Sequence, residues 1–232
     1  MMARNLRAVI FDLDGTLVDT AGDFLPAVTD LCRERSVAAP DAAAITGQVS
    51  NGAAALVALA LGLREDEPGY DEARAALLAH YARYLGRHAT LYPGIAALLA
   101  LLGHRGIGWA VATNKPEAFA KPLLATLAPV PAPVAVVCPE HVRRSKPDPD
   151  CLLLCCELLG CTVAEAVYIG DHARDIEAGR RAGMRTVAAA WGYLSEGEAA
   201  RHWGADMTVD HSEDLAAALG LAPSAQPGSL SR

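Results

Sequence analysis

The chain lacks an excess of basic charge, a long apolar run and any Cys-x-x-Cys pair, and each absence removes a class of function. Lys plus Arg number 20 against 27 Asp plus Glu, for a formal net charge of −7 over 232 residues. A duplex-binding protein needs a basic footprint to displace counterions, so nucleic acid is not an expected partner. The longest apolar stretches, 53–63 and 95–102, fall short of the roughly 20 residues of a spanning helix, so no membrane role is expected. The N-terminus reads Met-Met-Ala-Arg-Asn-Leu-Arg, and the short apolar run after it meets Asp12 at once. With no cleavage site following, it does not read as a secretory leader, and a cytoplasmic location is expected. Of the six cysteines, Cys151, Cys155, Cys156 and Cys161 cluster in an apolar stretch with no His among them. That spacing favours small buried thiols over zinc ligands.

What is present is ordinary globular composition. Apolar residues make up 52% and charged residues 20%, and the mean hydropathy is +0.20. A disordered chain would need low hydrophobicity and high net charge. The length allows one large domain, or one domain with an insertion.

Short apolar runs at 7–11, 109–113, 134–137, 167–169 and 186–189 read as buried strands. Helical patterns at 94–102, 117–127, 150–159 and 174–182 separate them. Strands alternating with helices predict an α/β fold, a doubly wound, Rossmann-like parallel sheet covered on both faces. Residues 18–92 break the alternation. Three amphipathic patterns and no strand signal occur there, which predicts an all-helical insertion. The expected organisation is a core of 1–17 and 93–222, a helical cap of 18–92 and a disordered Ser/Pro/Gly-rich tail of 223–232.

Polar signals stand at or just beyond the ends of the expected strands, where ligands bind in doubly wound sheets. Asp12-Leu13-Asp14-Gly15-Thr16 follows the first strand, and Thr113-Asn114-Lys115 the second. Ser145-Lys146-Pro147 follows the third. Gly170-Asp171 follows the fourth, with Asp175 four residues on. Converging in one crevice, Asp12, Asp14, Asp171 and Asp175 could not all stay ionised without a cation. Mg²⁺, a hard ion suited to oxygen ligands, answers that need and favours a phosphate ligand. Lys146 adds positive charge, Thr113 a hydroxyl, and Gly15 room for backbone amides to approach an anion. A carboxylate nucleophile, a second carboxylate two residues on, a metal, a Lys and a Thr together describe phosphoryl transfer through an aspartyl-phosphate.

These motifs, Asp12-x-Asp14-Gly-Thr-Leu-x-Asp19, Thr113, Lys146-Pro-x-Pro and Gly170-Asp171-x-x-x-Asp175, resemble in order the four motifs of the haloacid dehalogenase superfamily. The helical insertion resembles the cap of its phosphoglycolate phosphatase-like branch. The resemblance implies a Mg²⁺-dependent phosphomonoesterase, with Asp12 as nucleophile and Asp14 as general acid and base. It implies that Asp12, the Asp14 carbonyl and Asp171 hold Mg²⁺, with Asp175 orienting water or Lys146. Thr113, Asn114, Lys146 and the amides of Leu13 and Asp14 would hold phosphoryl oxygens.

A finer resemblance, carried by Val49-Ser50-Asn51-Gly52, Thr113-Asn114-Lys115-Pro116, Cys138-Pro139-Glu140-His141-Val142 and Trp203-Gly204-Ala205-Asp206, is to phosphatases of N-acetylmuramic acid 6-phosphate in peptidoglycan recycling. It implies a small phosphorylated sugar or sugar-acid substrate and a monomer or homodimer. Phosphoglycolate phosphatase is the alternative, followed by a phosphosugar mutase and a non-catalytic binding module. Ser50 and Asn51 could touch substrate or cap the helix that follows them. His141, Arg143 and Arg144 could bind a substrate carboxylate or simply be solvated. Asp19 is expected at a cap hinge, and Tyr81 and Tyr84 in the cap core.

Overall fold

The computed structural model describes residues 5–194, 197 and 199–221; the expected tail, 223–232, lies outside them. Six parallel strands form one sheet: β1 (Ala8–Phe11), β4 (Gly108–Ala112), β5 (Ala135–Val137), β6 (Ala166–Gly170), β7 (Arg185–Ala189) and β8 (Met207–Val209). Their spatial order is β5-β4-β1-β6-β7-β8. The first five match the expected runs to within a residue or two. The sixth, Met-Thr-Val, is interrupted by Thr208 and offers no continuous apolar run to read from sequence.

Strand alternation sorts side chains onto two faces. Val9 and Phe11 of β1 join Trp109 and Val111 of β4 beneath α5 (Ile95–His104) and α6 (Glu117–Leu127). Ala8 and Ile10 face the other way, with Ala110 and Ala112, toward α7 (Asp150–Leu159) and α8 (Ala173–Ala182). This period of two is what a sheet buried on both sides requires. Cys151, Cys155 and Cys156 lie on the inward face of α7 as small hydrophobes, and all six cysteines are free.

Between β1 and β4 the chain forms α1 (Ala21–Glu34), α2 (Ala42–Thr46), α3 (Gly52–Leu61) and α4 (Tyr70–Tyr84). They share a separate apolar cluster built on Phe24, Val28, Leu31, Leu56, Leu77 and Tyr81. One expectation needs correction: the segment is not wholly helical. Val18–Asp19 (β2) pairs antiparallel with Thr90–Leu91 (β3), so a two-residue ribbon closes the insertion where it leaves and re-enters the sheet domain. Two residues per strand are too few to show alternation. Among the described residues no helix is long and apolar enough to cross a membrane.

Buried polar groups fix this neck. Asp23, fully buried in the first turn of α1, accepts from the amides of Gly86 and His88 at 2.7 Å each, and of Ala89 at 3.2 Å. The Tyr193 hydroxyl accepts from the amides of Thr20 and Ala21 at 2.6 and 2.8 Å and donates to the Asp19 carboxylate at 2.6 Å. Tyr193→Phe strands the buried Thr20 amide, leaves the Ala21 amide only its 3.2 Å bond to Asp19, and is expected to cost about 2 kcal/mol. Urea unfolding would measure this, and a change below about 0.5 kcal/mol, the scale of an unremarkable surface substitution, would remove Tyr193 from the hinge.

Candidate active site

The chain leaves β1 toward β4 and β5 on one side and later returns to β6, β7 and β8 on the other. The carboxyl end of β1 is therefore the point where a doubly wound sheet opens a crevice. Asp12 stands there, directly beyond Phe11. Asp14 follows in a tight loop in which the amides of Leu17 and Val18 both donate to the Leu13 carbonyl. Gly15 closes this loop at φ +78°, and a Cβ there would lie 2.0 Å from Asp171 Oδ2, so both the turn and the close approach demand glycine.

Asp12, Asp171 and Asp175 are buried, and each offers a carboxylate oxygen within 4.8 Å of the others. Burial, opposed by Lys146 and aided by Asp175, raises the Asp12 pKa to about 6. Burial and the neighbouring Asp12 and Asp175 charges raise that of Asp171 to about 8. Asp12 and Asp171 thus resist ionising together. Lys146 relieves part of this: its Nζ lies 2.8 Å from both Asp12 Oδ1 and Asp175 Oδ1 and donates to the Tyr168 hydroxyl at 2.9 Å. Burial alone would lower the Lys146 pKa, but Asp12 and Asp175 outweigh it and hold the amine charged.

The carboxylates differ in their partners. Asp175 accepts from Tyr168 and Lys146 through Oδ1 and from the His172 amide, at 3.1 Å, through Oδ2. Both of its oxygens are thus engaged by the protein, one of them by Lys146. Asp171 accepts from Thr16 at 3.1 Å, Ser50 at 2.8 Å and the Tyr193 amide at 3.0 Å. Asp12 Oδ1 takes the Leu13 amide at 2.7 Å.

A cavity of about 250 Å³ opens above Asp12, Asp14, Thr113 and Lys146 and is roofed by residues of α1, α3 and α4. Asn114, expected to hold phosphoryl oxygens, lines this cavity and also braces a neighbouring loop. Its side chain donates to the Lys146 carbonyl and accepts from the Lys146 amide, both at 3.1 Å, and so fixes the loop that presents Lys146. Ser50 and Asn51 line the cavity, and neither side chain caps α3. They tie cap to core: Ser50 donates to Asp171, and Asn51 Oδ1 meets His172 Nε2 at 3.0 Å.

His141 and Arg143 do not reach the cavity. The 3₁₀ turn Pro139–His141 folds the His141 ring back so that Nδ1 accepts from the Cys138 amide at 3.0 Å, while Nε2 faces Glu117 at 3.3 Å. Arg143 is exposed and does not line the cavity.

Sequence reasoning missed Lys115, Arg74 and Arg174, which all line it. Lys115 Nζ is 2.9 Å from Asp14 Oδ1 and lies over the Tyr81 ring at 4.6 Å and the Phe24 ring at 5.0 Å. One signal was available: the chain has only three lysines, and Lys115 stands two residues beyond Thr113. Tyr81, stacked on Phe24 at 4.0 Å, is cap core as expected but also lines the cavity, and its buried hydroxyl has no hydrogen-bond partner among the described residues.

A profile of haloacid dehalogenase-like hydrolases matches residues 6–183. The chain belongs to this family. It is 43% identical over 216 residues to the N-acetylmuramic acid 6-phosphate phosphatase of Pseudomonas aeruginosa, covering 93% of this chain and 95% of the relative. It is 35% identical over 209 residues to the phosphoglycolate phosphatase of Xanthomonas campestris pv. campestris, covering 90% and 94%. A haloacid dehalogenase-like hydrolase of Streptococcus pneumoniae superposes with a TM-score of 0.78 at 24% identity, over 92% of this chain and 98% of that one, and so shares the fold. A haloacid dehalogenase-like hydrolase with such full-length relatives is a phosphoric monoester hydrolase.

Proposed function

We propose that the protein hydrolyses N-acetylmuramic acid 6-phosphate through an aspartyl-phosphate on Asp12, with Mg²⁺ as cofactor. The carrying observation is the buried Asp12 carboxylate, exposed to the cavity, paired with Lys146 and set within 4.8 Å of two further carboxylates. The donor set suits Mg²⁺: clustered hard oxygens with raised pKa values and too little cationic charge of their own. Asp12, Asp171 and the Asp14 carbonyl would hold the ion, with Asp175 behind Lys146. When bound, Mg²⁺ neutralises charge on the phosphoryl oxygens.

The chain's own residues account for the remaining chemistry. An Asp12 oxygen attacks phosphorus in line as the bond to the sugar oxygen breaks, and Asp14 gives that oxygen a proton. Asp14 then takes a proton from the water that attacks the aspartyl-phosphate, releasing inorganic phosphate and restoring Asp12. Lys146, Thr113 and the Asp14 amide would hold the phosphoryl oxygens, and the Leu13 amide would join them on leaving Asp12 Oδ1. Lys115 must leave Asp14, or share it, for Asp14 to carry a proton.

The test is phosphate release from N-acetylmuramic acid 6-phosphate and 2-phosphoglycolate, side by side. The expected kcat/KM advantage of the sugar acid is at least about a hundredfold, or about 2.7 kcal/mol. EDTA is expected to lower either rate on the order of a hundredfold or more, reversibly on adding Mg²⁺. A preference for 2-phosphoglycolate would establish the second reading, which the Xanthomonas relative favours. Activity indifferent to EDTA would remove the metal.

A further inference from the structure

Four cationic side chains line the cavity, and three are already engaged. Lys146 is paired with Asp12 and Asp175, and Lys115 with Asp14. Arg174 donates to the Ser50 carbonyl. Arg74, on α4, has no hydrogen-bond or ion-pair partner among the described residues and is solvent-exposed. An unpaired guanidinium facing a cavity is a ready bidentate partner for a carboxylate.

Its position says which carboxylate. Arg74, Leu78 and Tyr81 all line the cavity, at positions i, i+4 and i+7 of one helical face. Tyr81 marks the catalytic end, because its ring meets Lys115, the partner of Asp14. Arg74 therefore departs from the helix about 10 Å along its axis from Tyr81, at 1.5 Å per residue. Leu78, and Phe24 and Phe119 near Tyr81, give the intervening wall an apolar surface suited to one face of a sugar ring.

We propose that Arg74 is a specificity-determining residue that binds a substrate carboxylate remote from the phosphoryl group and held apart from it by a sugar ring. This deepens, and rests on, the reading of the enzyme as a sugar-acid phosphatase. In 2-phosphoglycolate one methylene and one ester oxygen separate carboxylate from phosphoryl, which keeps the carboxylate at the catalytic end. In N-acetylmuramic acid 6-phosphate the lactyl ether on C3 and the phosphoryl arm on C5 leave the ring on either side of C4, so the ring holds carboxylate and phosphoryl apart. Arg74 thereby takes the role that the sequence suggested for His141 and Arg143.

The test compares wild type, Arg74→Gln and Arg74→Lys on N-acetylmuramic acid 6-phosphate, N-acetylglucosamine 6-phosphate, which lacks the lactyl carboxylate, and 2-phosphoglycolate. In Arg74→Gln the kcat/KM ratio of the first substrate to the second is expected to fall about 30- to 100-fold, as for loss of a charged hydrogen-bonded pair. Most of the change should appear in KM, and Arg74→Lys should recover part of it. An unchanged ratio, whether through equal loss or no loss, overturns the assignment. So does a loss selective for 2-phosphoglycolate, which would bring Arg74 to the catalytic end. The wild-type preference is read separately. A wild type that favours N-acetylmuramic acid 6-phosphate while Arg74→Gln leaves the ratio intact sinks the Arg74 inference alone. A wild type that favours 2-phosphoglycolate sinks the substrate reading itself.

Discussion

Asp12→Asn is expected to lower kcat by about 10⁴- to 10⁶-fold, the scale on which enzymes lose rate when a nucleophile is removed. An amide oxygen cannot displace the sugar oxygen to leave a stable acyl phosphate, and the exchange is nearly isosteric. The fold should persist, because Lys146 keeps its 2.8 Å pair with Asp175 and its bond to Tyr168. The discriminating measurement is acid quenching of a single turnover with labelled phosphomonoester. Wild type should retain label on protein within the first turnover, and Asp12→Asn should retain none. Turnover within tenfold of wild type, with a matching circular dichroism spectrum, would move the nucleophile elsewhere.

Lys146→Met carries the largest expected cost in stability. The ammonium is buried and serves two carboxylates, one phenol and the Ala112 carbonyl. Methionine fills much of the volume but leaves Asp12, Asp171 and Asp175 clustered without their fixed cation. Breaking a buried ion pair from one side costs about 3–5 kcal/mol. Hydrolysis should fall as well, since Lys146 faces the phosphoryl site. Adding Asp175→Asn removes one of the stranded charges. The double variant should therefore be more stable than Lys146→Met alone in metal-free buffer, by urea unfolding. If the second change instead added its own full cost, the pair would not be coupled, and Asp175 would not be the group that positions Lys146.

The chemistry at the strand ends was legible because it is local. Asp12 and Asp14 follow β1 within three residues, and Asp171 follows β6 directly, so a short apolar run and the polar residue after it locate both. The helices flanking the sheet were legible for the same reason, since a periodic apolar face spans ten residues or more. The ribbon at the cap's neck was not, at two residues a strand, nor was the last strand, whose apolar run is broken by Thr208.

Sequence alone thus determined the α/β class, the helical insertion and the residues that meet at the carboxyl end of β1, because burial periodicity and strand-end position are written within a few neighbouring residues. It could not decide partners. The Lys115–Asp14 pair joins residues 101 positions apart, and the Ser50–Asp171 bond joins residues 121 apart. Asn114 was expected to meet an anion, and only the tertiary structure shows that it also braces the Lys146 loop. His141 and Arg143 were candidate ligands by type until a 3₁₀ turn carried His141 toward Glu117 and left Arg143 in solvent. Arg74 looked like any exposed charge on an amphipathic helix. Tertiary structure set it beside the cavity, because how the cap seats on the sheet domain depends on packing between distant surfaces.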